Sequence, residues 1–331
     1  MSARIMELDK GYLSGGETWH RDPKYVTVGD RPVTTEEAAK VVDFDIRKAQ
    51  TYVKSGEVYV PSGSYAIVRT DTAPETVLAP AVGERYVAIG HKQVFNHFVE
   101  NLMAAYPNLK IVGSGTLENG RTWYVQFVAD KFFVGGDESE HQLRLCYHQS
   151  FGNTAHCVYV TTVRIVCWNT LRMAAGDAIA NKMISRFRHT KGAMAKVNTD
   201  LSLMAELKLK LQSHIDEMEM LASKPVTTED VDAFLKKFLP EPEAKAGETE
   251  APKVSANRWE DAVGTFNRIF VSGQDLSEQV ARSRYAVLQA FTDYVDHHSY
   301  SRDESDRWTD SQDGMRAQLK SQAAGWLLQQ P

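Results

Sequence analysis

The chain has 331 residues, 43% hydrophobic and 24% charged, which is the composition of an ordinary globular protein with enough apolar material for a sizeable core. Three cysteines, Cys146, Cys157 and Cys167, exclude a disulfide scaffold and read as reduced thiols. No apolar run approaches bilayer-spanning length and MSARIMELDKGYLSGG has no signal-like apolar region, so the expectation is a cytoplasmic protein without a membrane partner.

Residues 1–33 read as irregular, punctuated by Gly15-Gly16, Pro23 and Pro32. Thr34 or Thr35, followed by Glu36-Glu37, starts a short helix that ends near Phe44 to Ile46. From Gln50 the period changes to that of a meander. TYVKS, EVYVPSG and YAIVRTD are predicted as short strands separated by Gly56 and Pro61-Ser62-Gly63. A loop from Thr70 to Gly83 precedes a short strand at Tyr86–Ile89. Gln93 to Tyr106 carries an apolar stripe of Val94, Phe95, Phe98, Val99, Leu102 and Met103 and is predicted as a helix stopped by Pro107.

Three strands follow, LKIVGSGTL, RTWYVQFVA and KFFVGG, the first two joined at Glu118-Asn119-Gly120. Gln142–Ser150 and His156–Trp168 form a long antiparallel pair. The pattern then turns helical over Leu171–Arg188 and again over Met194–Leu221, a stretch of roughly 40 Å. That second helix has apolar residues from Val197 to Leu221 at near-heptad spacing, a seam that packs on its own domain or serves self-association. Thr227 caps a short helix. Pro240–Lys253 reads as a linker. Trp259–Phe270, Ser283–His297 and Gly314–Leu328 are predicted helices, with a charged, turn-like Asp303–Asp313 before the last.

These elements predict an α+β fold: a curved antiparallel sheet packed with helices, a long helix after the sheet and a helical C-terminal region. The expected organisation is a core domain over 1–224, a short helix and linker over 225–253, and an acidic helical region over 254–331. Charge follows that division, with 26 basic and 25 acidic residues over 1–224 against 12 and 18 over 225–331. The acidic region is either a solvated surface or a competitor for the basic face.

The basic face is local. Between 141 and 199 there are eight Lys/Arg and one acidic residue, Asp177, within a chain whose net charge is −5. They gather on a predicted strand–turn–helix, with Arg164 inside the strand. Backbone phosphates require several aligned cations, and exposed aromatics beside them stack unpaired bases. Arg164, Trp168, Arg172, Lys182, Arg186, Phe187, Arg188, His189, Lys191 and Lys196 are therefore the candidate nucleic-acid-binding residues. The alternative is a solvated helix face with Arg164 in a structural ion pair.

WHRDPKYV near the start, VRTDT at 68–72, GTLENGRTWYVQ at 115–126, TTVRIVCWNTL at 161–171, RHT at 188–190 and DYVDH at 293–297 occur in a recognisable order. Together they resemble a family of phage-, plasmid- and prophage-encoded bacterial proteins known as a domain of unknown function. The resemblance implies a mobile-element setting in a bacterial host, and a core similar to the single-strand annealing proteins of phage recombination. It supplies no catalytic residues.

Other chemistry finds less support. Cys146 and His148 share a strand face, whereas His156 and Cys157 point to opposite faces, and no metal-ligand spacing joins them. Asp71, Asp43 and Asp45 are too dispersed for a nuclease metal site. No catalytic residue, metal or cofactor is assigned. The leading expectation is non-catalytic binding of single-stranded DNA by a homo-oligomer. Two alternatives stay open. One is an interaction module that grips a host or phage protein through Tyr285, Phe291, Tyr294 and Trp308. The other is a metal-dependent enzyme acting on nucleic acid.

Overall fold

The computed structural model describes residues 13–14, 26–27, 32–137, 139–152, 156–164, 169–172, 184–192, 203–244, 252–273, 276–301, 310 and 314–331. The architecture is α+β. Among the described residues no helix is long and apolar enough to cross a membrane.

The strands are β1 (Leu13–Ser14), β2 (Val26–Thr27), β3 (Ile46–Ser55), β4 (Val58–Arg69), β5 (Thr76–Val82), β6 (Lys110–Leu117), β7 (Thr122–Phe132), β8 (His141–Ser150), β9 (His156–Arg164), β10 (Asn169–Arg172) and β11 (Ile184–Phe187). The large sheet runs β10-β9-β8-β7-β6-β1-β2, and β11 also pairs with β9. Apart from the short parallel β1–β2 pair, its ladders are antiparallel. A smaller antiparallel sheet has the order β3-β4-β5.

Helix α1 (Thr35–Val41) begins with a capping box in which the Thr34 and Glu37 side chains satisfy each other's backbone amides. Helix α2 runs through His91–Val94, a π turn at Phe95–Val99, and Glu100–Ala105. The remaining helices are α3 (Leu203–Ser223), α4 (Thr228–Phe238), α5 (Lys253–Ser272), α6 (Arg284–Asp293, extended by a π turn at Tyr294–His298) and α7 (Met315–Gln329). A second capping box, Thr227 with Asp230, starts α4.

Period-two alternation decides which side of the large sheet is its main core. Trp123, Val125 and Phe127 of β7 and Leu143, Leu145 and Tyr147 of β8 face the helices. There they meet Phe95 and Phe98 of α2. The same buried cluster continues through Phe234, Phe238, Phe266, Phe291 and Leu327, so sheet and C-terminal helices share one core. A polar staple ties them. The Tyr285 hydroxyl donates to the Asp137 carboxylate at 2.6 Å, and His141 Nε2 lies 3.1 Å from the same oxygen. Deeper in the helical layer, Lys320 and Asp296 form an ion pair of 2.5 Å with both side chains fully buried.

Several local expectations change. EVYVPSG and YAIVRTD fall in one strand, β4, and RTWYVQFVA runs on into Lys131 and Phe132 as β7. The predicted loop at Thr70–Gly83 contains β5, whose Pro80 is tolerated because β5 is an edge strand. Tyr86–Ile89 is not a strand: its chain runs without a ladder, and Val87 donates to the His189 carbonyl. Residues 169–172, expected as a turn and the first residues of a helix, are strand β10, and 184–187, expected near the end of that helix, are strand β11. Both supply backbone partners to the outer edge of β9, a demand that overrides local helical preference. The long helix after the sheet is α3, where Met218 and Leu221 of the expected seam are buried in the chain's own core. The seam's start, including Val197 and Leu201, lies outside the described residues.

Candidate nucleic-acid interface

Among the described residues, the stretch expected as a basic strand–turn–helix contributes three strands, β9, β10 and β11, while 165–168 and 173–183 lie outside them. β10 lies beside the C-terminal half of β9 and β11 beside its N-terminal half. Directly paired residues of antiparallel strands share a sheet face, so the register sorts the candidate positions. Arg172 pairs with Thr161, which pairs with Arg144 of β8. Arg186 pairs with Cys157, which pairs with His148. Positions 172 and 186 therefore share the face remote from the main core. Arg164 pairs with His141 and Phe187 with His156, which puts positions 164 and 187 in the opposite rows, toward the helices.

Beyond β11, Arg188 and Lys191 are exposed, and no ion pair holds either of them among the described residues. His189 is different: it is buried, its Nε2–H donates to the Ser150 carbonyl at 2.8 Å, and its ring stacks on Tyr86 at 4.7 Å. It cannot contact a ligand on the surface. Trp168, Lys182 and Lys196 lie outside the described residues.

The face that carries positions 172 and 186 is polar along its middle strands. Arg144 is only 1% exposed, and its guanidinium donates to Gln142 Oε1 at 2.6 and 3.0 Å and to Gln126 Oε1 at 3.3 Å. Cys146 and Cys157 pack together there beside His148. Cys146 and His148 share a face, as their spacing predicts, and Arg144 is their neighbour on it. Among the described residues no group of three or more His, Cys, Asp or Glu side chains is placed to hold a metal ion.

A second assembly was not expected. His91, at the start of α2, is fully buried and donates through Nε2 to the Gly120 carbonyl at 2.8 Å. Its ring lies 4.4 Å from Phe151, and the His156 and His189 rings are 4.3 Å apart. Burial, reinforced by neighbouring imidazoles, pushes His91 down to about 4 and His156 to about 2, and burial also lowers His189. All three are therefore neutral near pH 7. Tyr147 shares a 2.6 Å hydrogen bond with His156 Nδ1.

Arg69 closes this node from the small sheet. It binds both oxygens of Asp71 at 2.6 and 2.9 Å, donates to the Asn119 carbonyl and sits 4.3 Å over the Phe44 ring. Asp71 is thus engaged in holding the fold rather than converging with other carboxylates. Gly120 has φ +92°, and a Cβ there would come within 2.9 Å of Phe44. VRTDT, the ENGR of GTLENGRTWYVQ and RHT, stretches far apart in sequence, therefore meet around His91 and Phe151.

The sequence profile described as a domain of unknown function (DUF932) matches residues 80–318. The chain belongs to this family. The matched DUF932 region begins within β5 and includes the large sheet from β6 onward, the imidazole node and the C-terminal helices as far as the start of α7. No curated protein and no solved structure matches the chain.

The aromatics expected to form an exposed docking face are placed differently. Tyr285 and Phe291 are fully buried in the core, and Tyr294 is partly buried beside it. None of the three stands out as a free anchor, because the interior of α6 is where the helices meet the sheet. Trp308 lies outside the described residues.

Proposed function

We propose that this DUF932 chain binds single-stranded DNA without catalysis, in the recombination of phage or plasmid DNA, with an oligomer presenting the binding track repeatedly. The observation that carries the reading is the shared sheet face of Arg172 and Arg186, followed directly by the exposed Arg188 and Lys191. Four cations on two adjoining strands and their exit loop suit a polyanion, in a chain whose overall charge of −5 repels one. Arg144 stands on the same face but is buried, with its guanidinium held by Gln142 and Gln126, so the exposed end of the track is Arg188 and Lys191. The likeness to single-strand annealing proteins is an analogy of α+β fold and mobile-element context.

Fluorescence-polarisation titration of labelled single and double strands at two salt concentrations tests the proposal. Single strands are expected to bind more tightly, with affinity falling as salt rises. The double substitution Arg188→Glu and Lys191→Glu should weaken binding and lower the salt slope by about 1.4, at about 0.7 per phosphate contact on a single strand. Absence of binding at low salt overturns the proposal.

A further inference from the structure

Residues 50–64 form a two-stranded arm that reaches roughly 20 Å beyond the small sheet. β5 pairs with β4 only from Tyr65 onward, so among the described residues no strand flanks the arm on either edge. One face of the arm combines aromatic rings with a cation. Tyr52 pairs with Pro61 and Lys54 with Tyr59, which sets these four positions on the same face. Tyr52 and Tyr59 are 57% and 69% exposed, and Lys54 stands exposed beside both. The arm's one acidic residue, Glu57, sits in the turn and not in this row.

The same face leads back to the cations that follow β11. Across the irregularity between Gln50 and Tyr52 the extra residues are on β4, so alternation along β3 keeps Lys48 in the row of Tyr52 and Lys54. Lys48 is held in place: its ammonium donates to the Glu84 carbonyl at 2.5 Å and to the Tyr86 carbonyl at 3.0 Å, and lies 4.5 Å over the Tyr65 ring. Tyr86 stacks on His189, and Val87 donates to the His189 carbonyl. His189 is flanked by Arg188 and, two residues on, by Lys191. The root of the arm and the exposed end of the cation track are therefore joined through Tyr86 and Val87.

We propose that Tyr52 and Tyr59 stack on unpaired bases of a single strand whose backbone runs on to Arg188 and Lys191. The inference rests on the single-strand reading above and assigns to it the base contacts that cations alone do not make. Position 187, expected to offer a stacking ring, lies in the rows toward the helices, and the arm supplies the platform instead. A tyrosine ring meets the π-face that every base has, so the contact is independent of sequence. Lys54, directly opposite Tyr59, places a cation where the phosphate beside a stacked base passes. A duplex keeps its bases stacked on one another, so the two rings favour single strands, which charge by itself does not do.

The test compares binding of the full chain to a labelled thymidine strand, an abasic strand of equal length and charge, and a duplex. Wild-type protein should bind the abasic strand at least about fivefold more weakly than the thymidine strand. Tyr52→Ala with Tyr59→Ala should weaken thymidine-strand binding by at least about fivefold and leave its salt slope unchanged, since stacking releases no counterions. The same pair should leave abasic-strand and duplex binding as they are, and Tyr52→Phe with Tyr59→Phe should retain wild-type affinity because the ring is kept. Lys54→Gln should instead lower the salt slope by about 0.7. Equal wild-type affinity for the thymidine and abasic strands, a double alanine variant that binds thymidine like wild type, or a loss of the same size on the abasic strand overturns the proposal. Wild-type protein that binds no strand at low salt removes the single-strand reading as well, whereas binding indifferent to the tyrosines removes the arm's part alone.

Discussion

Mild acid should destabilise the fold through imidazoles that it keeps neutral, and His91 is the place to measure the effect. Burial is the main reason that His91 falls from 6.5 to about 4 in the folded chain, against the opposing hydrogen bond to Gly120. Below pH 6.5 the unfolded chain takes up a proton that the folded chain refuses. The His91 contribution is therefore intact above pH 6.5 and is lost progressively as pH falls toward 4. At about 1.36 kcal/mol per pH unit the full loss is about 3 kcal/mol, of which about 2 is gone by pH 5. His156, held down to about 2, loses stability in the same direction. Glu217 opposes them. Burial raises it to about 7, so its protonation on acidification favours the folded state down to the ordinary carboxylate value. His91→Gln keeps an amide donor for the Gly120 carbonyl and removes the titration, with Glu217 common to both proteins. Urea unfolding followed by tryptophan fluorescence between about pH 7 and pH 5 should show a stability slope flatter in the variant by as much as one proton, about 1.4 kcal/mol per pH unit. Equal slopes in the two proteins would refute the assignment.

Three further outcomes follow from the geometry. Gly120→Ala forces a Cβ against Phe44 at a left-handed φ and should cost about 1–3 kcal/mol, read as a lower urea midpoint. Lys320→Met removes the ammonium paired with the buried Asp296 carboxylate and should cost up to about 3–5 kcal/mol, while adding Asp296→Leu should recover part of that loss in thermal denaturation. If DNA is held on the sheet face remote from the helices, Arg186→Gln should lower the salt slope of single-strand binding by about 0.7, and Arg164→Gln should leave that slope unchanged.

The legible parts of the fold were those whose signal is local. Thr34 with Glu37 and Thr227 with Asp230 are capping patterns, and both start helices where the spacing predicts. β6 to β9 alternate strongly enough to be read as strands, and the turn at Glu118–Gly120 is where its residues indicate. β10 and β11 were not legible, because the features that make them strands belong to the open edge of β9 and not to NTLR or ISRF. β5 was hidden by Pro80 for the same reason, since edge position is a property of the sheet.

The site was half legible because charge along a chain says nothing of parity. A window rich in Lys and Arg located β9 to β11, yet a two-residue period decides which cations share a surface, and it separates position 164 from positions 172 and 186. Arg144 belongs to the same basic window, and only the register sets it in line with Arg172 through Thr161. The imidazole node carried a different signal. Its pieces, Arg69 with Asp71, Asn119-Gly120, and His189, lie within motif stretches that were recognisable before any fold was known, but His91 stood outside them. Their separation in sequence hides that each of them braces the same buried corner between the two sheets. A motif whose residues bind one another accounts for its own spacing without a ligand, so these stretches specify how the corner is built, and the search for bound DNA belongs on the cations that the corner leaves exposed.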